Sequence, residues 1–110
     1  MKIYTIRITR QAREQLREIK KYIAEVLLAP DAARNTVSAI KKEIKSLDKM
    51  PDRIILTEEE PWRSEGVHRM RVKNYYVYFW IDEENSKVQV TAVIYVVRDQ
   101  AAQLELMEME

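Results

Sequence analysis

The best candidates for chemistry in this 110-residue sequence are three alternating basic residues and one later arginine. Arg69, Arg71 and Lys73 alternate along a predicted strand, which would place all three on one face. Arg98 follows the last predicted strand. Arginine stays charged and can bind phosphate through two parallel hydrogen bonds. Arg98 with Arg69 or Arg71 could therefore bind a pentavalent phosphate, as forms during phosphoryl transfer.

The general base that such a reaction needs is harder to assign. His68 is the only histidine, and imidazole is a common proton carrier near neutral pH. Strand alternation, however, places His68 opposite Arg69 and Arg71, on the side of Met70 that we assign to the core. We therefore interpret His68 as structural and leave the base unassigned.

An aromatic-rich strand supplies a second kind of candidate site. Alternation sends one set of residues to one face: Tyr75, Val77, Phe79 and Ile81. This set is the more apolar, so we expect helices to cover it. Tyr76, Tyr78 and Trp80 fall on the opposite face, which we expect to be open. With Lys73 they are candidates to bind nucleic acid by stacking on bases, although packing between strands would use the same residues.

Two helices are predicted before this strand. A short strand near residues 3–8 is followed by apolar residues at steps of four and three: Ala12, Leu16, Ile19, Ile23 and Val26. Thr9 is a suitable N-cap for this helix. A second helix begins at Pro30 and has the same periodicity: Ala33, Val37, Ile40, Ile44 and Leu47. The two helices are expected to form an antiparallel hairpin that buries both apolar stripes.

Three strands are predicted after a polar loop that contains Pro51, Pro61 and Gly66. They cover residues 67–73, 75–82 and 87–97, and the tail from residue 101 fits either a short helix or a frayed end. The predicted fold class is α+β, a mostly antiparallel four-stranded sheet with a two-helix hairpin on one face, in the order β-α-α-β-β-β. We expect residues 1–110 to form a single domain.

Composition argues against several classes of function. No cysteine is present and His68 stands alone, so we expect neither a metal site nor a cofactor. No continuous apolar run has the length of a membrane span, so we expect a cytoplasmic protein without a membrane partner. Residues 1–57 carry 13 Lys and Arg against 7 Asp and Glu, while residues 58–110 carry 6 against 11. A basic first half is compatible with a polyanionic partner but does not identify one.

The stretch GVHRMRVKNYYVYFWIDEENSKVQVTAVIYVVRD resembles the second half of the RelE/ParE superfamily of toxins from type II toxin–antitoxin modules. The shared features are a glycine followed by basic residues, an aromatic strand that ends in Ile-Asp, and a last strand that ends in Arg-Asp. The resemblance extends through the whole chain in its order of strands and helices. It implies a cognate antitoxin protein as a partner.

The resemblance leaves three functions open. RelE-like members cleave mRNA on the ribosome without a metal ion, and Arg98 matches their phosphate-contacting arginine. ParE-like members inhibit DNA gyrase without the nuclease residues. This chain has Tyr75 or Tyr76 and Leu104 where the cleaving branch has an arginine and a tyrosine. The leading hypothesis is a ribosome-dependent mRNA endoribonuclease; the alternatives are a gyrase inhibitor and an antitoxin-binding protein that has lost toxicity. Whether the chain is an enzyme therefore stays open.

Overall fold

The computed structural model describes residues 2–110, which form one sheet and three α-helices. The strands are β1 Thr5–Ile8, β2 His68–Val72, β3 Tyr75–Asp82 and β4 Lys87–Tyr95. The helices are α1 Arg10–Lys21, α2 Pro30–Lys45 and α3 Gln100–Leu104. A π-helical turn, Tyr22–Val26, extends α1, and two 3-10 turns, Ser46–Asp48 and Pro51–Arg53, follow α2.

The sheet has the strand order β1-β4-β3-β2. β2, β3 and β4 form an antiparallel meander, while β1 pairs with β4 in parallel. This mixed but mostly antiparallel sheet confirms the predicted α+β class. The short helix α3 resolves the two alternatives for the tail in favour of a helix.

The helical hairpin packs on one face of the sheet. Thr9 caps α1 as predicted, because its Oγ1 accepts a hydrogen bond from the Ala12 backbone at 3.2 Å, and Pro30 opens α2. The core beneath both helices includes these buried residues: Ala12, Leu16, Ile40, Ile44, Met70, Val77, Phe79 and Val90. His68 lies on this side as expected, with its ring stacked on Phe79 at a centroid distance of 5.0 Å.

A β-bulge in β4 changes which residues face the helices. Tyr78 pairs with Ala92 and Phe79 with Val90, so Thr91 is the extra residue. Val90 and Val93 consequently both face the helices, while Ala92 and Ile94 face the opposite side. β4 is therefore buried on both faces from Val88 to Ile94, including the polar side chains of Gln89 and Thr91.

Two of the predicted strands extended too far at the ends that carry candidate site residues. β2 ends at Val72, so Lys73 lies in the turn to β3 with a φ of 53° and does not continue the row of Arg69 and Arg71. β4 ends at Tyr95, so Arg98 lies in the turn that leads to α3. Within residues 2–110, no helix has the length and apolarity required to cross a membrane.

Candidate functional site

The sheet face opposite the helices was expected to be open, and the structure shows that it is covered. The loop 57–66 and the tail 99–109 lie on it and form a second core, which we call the tail-facing cluster. Its buried residues are Val67, Tyr78, Ala92, Ile94, Leu104 and Met107, with Trp62, Tyr76 and Met109 packed against them. The expectation was wrong because Leu104 and Met107 of the tail bury the aromatic residues of β3.

The polar ends of the two largest aromatics on this face bind the tail. The Tyr78 hydroxyl donates to Oε1 of Gln100 at 2.7 Å, and the Trp80 indole donates to the Met109 carbonyl at 3.0 Å. Burial, with a smaller contribution from the Glu59 carboxylate, raises the pKa of Tyr78 to about 12. At pH 7 the tyrosinate would be on the order of one molecule in 10⁵, so Tyr78 is unsuited to act as a base. Tyr78 also has no exposed surface for stacking on a nucleic-acid base.

Arg69 is engaged within the protein. Its guanidinium lies 4.3 Å from the centroid of the Tyr76 ring, and its Nη1 lies 3.7 Å from the Glu59 carboxylate. The side chain is only 16% exposed. Arg71, by contrast, is exposed, and its Nε donates to the Lys73 carbonyl at 3.0 Å. The two arginines were predicted to lie on one face of a strand, but Arg69 is largely buried and Arg71 is exposed.

Arg98 is exposed and has no carboxylate within 4 Å among residues 2–110. Its neighbour Asp99 caps α3 instead, because the Asp99 carboxylate accepts from the Ala102 backbone at 3.2 Å. An ion pair between Arg98 and Asp99, the simplest structural explanation for this pair, is therefore absent. The Arg98 charge is available to a partner.

The structure places Arg69 and Arg98 in different parts of the sheet. Arg69 lies on β2 level with Tyr78 and Ala92, whereas Arg98 lies beyond the end of β4, with β3 between the two strands. Two spacings between strands amount to about 10 Å, and Arg98 is further displaced along the strand direction. The catalytic roles of Arg98, Arg69 and Arg71 stay predictions, as does nucleic-acid binding by Lys73, Tyr76, Tyr78 and Trp80.

A groove of about 900 Å³ lies between α1 and the sheet, where β3 begins and β4 ends. Arg98 and Lys73 line it together with apolar and aromatic residues: Ile19, Tyr22, Leu27, Tyr75, Val93 and Tyr95. β1 ends at Ile8, so among residues 2–110 no strand pairs with the second half of β4 on this side. The Gln15 amide oxygen accepts from the Val93 backbone at 2.8 Å and replaces one missing strand contact. The groove therefore combines a strand edge that is partly covered by Gln15, apolar walls, the cations Lys73 and Arg98, and the carboxylate of Glu18.

The tip of the helical hairpin exposes three consecutive apolar residues. Val26, Leu27 and Leu28 are 63%, 56% and 80% exposed, and we call them the hairpin tip. Leu28 also has a φ of 54°, a left-handed conformation that costs a non-glycine residue about 1–2 kcal/mol. This conformation ends the helix, because it lets the Ala29 backbone donate to the Ile23 carbonyl at 3.0 Å. The exposed apolar surface of the hairpin tip is typical of a contact surface.

Several residues that shape this region were missed in the sequence. Glu59 and Gln100 hold Arg69 and Tyr78, and Gln11 binds the tail backbone at Leu106 and Glu108 with two hydrogen bonds of 2.7 Å. No sequence pattern predicted the contacts of Glu59 and Gln11, because single polar residues in a loop and a helix are usually solvated. The tail did carry a signal in the spacing of Leu104, Met107 and Met109, which fits one helical turn followed by an extended segment.

Comparisons with known proteins agree with this fold. Residues 6–100 match the family described as ParE toxin of type II toxin–antitoxin system, parDE. No curated protein matches the chain in sequence. A solved chain of the chromosomal ParDE system from P. aeruginosa is 20% identical, with a TM-score of 0.71 over 87% of this chain and 99% of that one.

Two other solved structures are similar in fold. A chain of the toxin–antitoxin complex RelBE2 from Mycobacterium tuberculosis is 21% identical, with a TM-score of 0.59 over 84% of this chain and 98% of that one. A mutant of the E. coli toxin RelE in the free state is 13% identical, with a TM-score of 0.63 over 92% of each chain. Because the family match spans most of the sequence, the chain belongs to the ParE family of toxins from type II toxin–antitoxin systems.

Proposed function

We propose that this toxin inhibits DNA gyrase and does not cleave mRNA. The supporting observation is the covered sheet face, where two of the groups that could serve RNA cleavage are engaged within the protein. Arg69 lies between Tyr76 and Glu59, and Tyr78 is buried with its hydroxyl bound to Gln100. The chain also matches the ParE family. Resemblance to ParE-like toxins implies gyrase inhibition, so this match favours the same function.

The hairpin tip is the surface that we assign to the target. Val26, Leu27 and Leu28 are exposed and apolar, and Leu27 also lines the groove beside α1. Binding would remove this apolar surface from water, at about 25 cal/mol for each Å² buried.

The groove beside α1 is the surface that we assign to the cognate antitoxin. Its apolar walls suit an amphipathic segment, and the free edge of β4 suits an extended one. Lys73 and Arg98 at its rim would pair with acidic residues of that segment. Co-expression with the small reading frame adjacent to the toxin gene should yield a complex, and charge reversal at both positions should weaken it.

Ribosome-dependent cleavage is the second candidate, and the exposed cations Lys73 and Arg98 favour it. If Arg98 contacts the reacting phosphate, Arg98→Lys should keep the fold and reduce cleavage by roughly a hundredfold to a thousandfold, because an ammonium lacks the planar fork. Gyrase inhibition through the hairpin tip should change little in the same variant. Arg98→Lys therefore separates the two candidates.

Induced expression tests the proposal in cells. We expect growth arrest with a DNA-damage response and relaxed plasmid DNA, while mRNA stays intact. Leu28→Ser should relieve the arrest, whereas Ile55→Ser, which changes an exposed apolar residue on the loop after α2, should not. Cleaved mRNA without DNA damage would instead select the endoribonuclease, and normal growth with folded protein would select a chain that has lost toxicity.

A further inference from the structure

We propose that the outer surface of the helical hairpin binds the backbone of duplex DNA. Basic side chains of α1 and α2 would contact the phosphates along the duplex without reading the base sequence. The inference goes beyond gyrase inhibition, because it concerns a different surface from the hairpin tip. It also requires no second protein, so it can be tested with the toxin alone.

A stripe of basic residues runs along α1. Steps of three, four and three residues place its members on one side of the helix: Arg10, Arg13, Arg17 and Lys20. All four side chains are exposed. Among residues 2–110, only Arg10 has a carboxylate within 4 Å, that of Glu14 at 3.3 Å. Three of the four charges are therefore available to a partner.

A second stripe runs along α2. Arg34, Lys41 and Lys45 follow each other at steps of seven and four residues, and all three are exposed. Arg34 pairs with Asp31 one turn earlier. In the part of the chain that the structure describes, neither lysine has a carboxylate within 4 Å. We call the two stripes together the basic face.

The basic face lies away from the groove that we assign to the antitoxin. On α1, Gln11 binds the tail and Gln15 binds the β4 backbone, and the helical repeat places both roughly 140–160° around the axis from Arg13 and Arg17. On α2, Thr36 lines the groove and is separated from Arg34 by about 160°. An antitoxin segment in the groove would therefore leave the basic face exposed.

This arrangement of charge does not favour the stability of the helices. Neighbouring members of the α1 stripe are like charges at three or four residues, a spacing at which they repel each other and destabilise a helix. The first turn of α1 has no acidic residue, and Arg10 and Arg13 lie near the positive end of the helix dipole. A surface that served only solubility would mix charges of both signs. The accumulated charge therefore indicates a polyanionic partner.

The form of the basic face favours duplex DNA over other polyanions. Its α1 stripe extends over about 15 Å of a rigid helix, and duplex DNA presents a regular row of phosphates with about one charge per 1.7 Å of its axis. Sites for single strands add aromatic residues that stack on bases, and neither stripe contains one. Helices that lie on membranes expose an apolar face, whereas the apolar faces of α1 and α2 are buried in the core.

Fluorescence anisotropy of a labelled duplex of about 20 base pairs, titrated with the purified toxin at several salt concentrations, tests the proposal. Arg17→Gln combined with Lys41→Gln removes one cation from each stripe. It should weaken binding at low salt roughly tenfold and reduce the slope of log Kd against log salt by about two. Glutamine is a good helix former, so urea unfolding should show no loss of stability.

Lys2→Gln combined with Lys87→Gln is the matched control. It removes the same charge at the turn between β3 and β4, where Lys2 pairs with Glu83 and Lys87 begins β4. Its affinity should stay within about twofold of the natural chain, because charges that do not contact the duplex are screened by salt. Equal losses in the two double variants would overturn the proposal, since only net charge would then matter.

Two further results would overturn the proposal: no binding of the duplex by the natural chain at low salt, or tighter binding of the corresponding single strand. If the Arg17 and Lys41 double variant fails to fold, Arg17→Gln alone provides the test. Its salt slope should fall by about one, and an unchanged slope would contradict the assignment. No gyrase is present in these titrations, so their outcome is independent of the target proposed above.

Discussion

The two faces of the sheet are closed in different ways. On the helix-facing side, α1 and α2 cover Val77, Phe79 and their neighbours with apolar side chains. On the other side, a loop and the tail 99–109 cover Tyr78 and Trp80, and hydrogen bonds to Gln100 and Met109 satisfy the polar groups of these aromatics. The first face depends on helices with their own periodic pattern, whereas the second depends on segments with little internal structure.

This difference separates global from local stability. Loss of packing beneath α1 and α2 exposes a core that no other segment can cover, so the whole domain should unfold. Loss of packing beneath the tail allows the tail to detach while the sheet and helices stay folded. Substitutions on the two faces should therefore differ in which part of the molecule they affect.

The largest effect is expected from Phe79→Ala, which empties the helix-facing core. Phe79 has no exposed surface, and truncation of such a residue typically costs ~3–5 kcal/mol. Urea unfolding should give a loss in that range, and Val97→Ala, at a residue 76% exposed, should stay within about 0.5 kcal/mol of the natural chain. A loss under about 1 kcal/mol for Phe79→Ala would contradict the assignment of the two faces.

A smaller, local effect is expected from Leu104→Ala. Leu104 is fully buried, and its truncation would cost ~2–5 kcal/mol if the whole domain had to respond. Detachment of the tail limits the measured loss to the free energy that holds the tail. Hydrogen exchange should accelerate in residues 100–109 and leave β3 protected. Equal acceleration in both regions would show that the two faces unfold together.

Tyr78→Phe should cost about 1 kcal/mol at neutral pH, the usual contribution of one hydrogen bond. Its pH dependence is more informative. The pKa of Tyr78 is raised to about 12 in the folded state, so its contribution is complete below about pH 10 and is lost as the pH rises from 10 to 12. Between pH 10 and 12, the free energy of unfolding should therefore fall more steeply for the natural chain than for Tyr78→Phe. Parallel curves would argue against a buried hydroxyl.

The smallest effect is expected from Gln11→Ala. The Gln11 amide makes two hydrogen bonds of 2.7 Å to the tail backbone, but both are exposed. We expect a loss of about 0.5–1 kcal/mol, visible as faster exchange of the Glu108 amide and not as a change in global unfolding. Gln103→Ala, on the tail itself, serves as a comparison. Unchanged exchange at Glu108 would mean that Gln11 does not hold the tail.

The helix-facing half of the fold could be predicted because the period of the apolar residues indicates which side of a helix or strand packs against another element. The steps of four and three in α1 and α2, the Thr9 cap and the alternation of β3 all have direct physical consequences. The predictions failed where a contact depends on distant residues. No local pattern shows that Met107 would bury Tyr78, or that Thr91 would form a bulge.

The candidate site was predictable only in its residue types. The basic residues were identified, and Arg98 is exposed as a functional residue should be. Their separation was not predictable, because it depends on the early ends of β2 and β4 and on the position of Glu59. The hairpin tip was hidden for another reason: Val26 continues the apolar stripe of α1, and only the structure shows that it lies beyond the core.

DNA supercoiling by purified gyrase, with the purified toxin added, tests the central claim most directly. We predict inhibition by the natural chain and by Arg98→Lys, strong relief of inhibition in Leu28→Ser, and no relief in Ile55→Ser. Ribosomes programmed with mRNA should retain intact message in parallel reactions. Full gyrase activity together with cleaved mRNA would contradict the account and would return Arg98 to the centre of an endoribonuclease site.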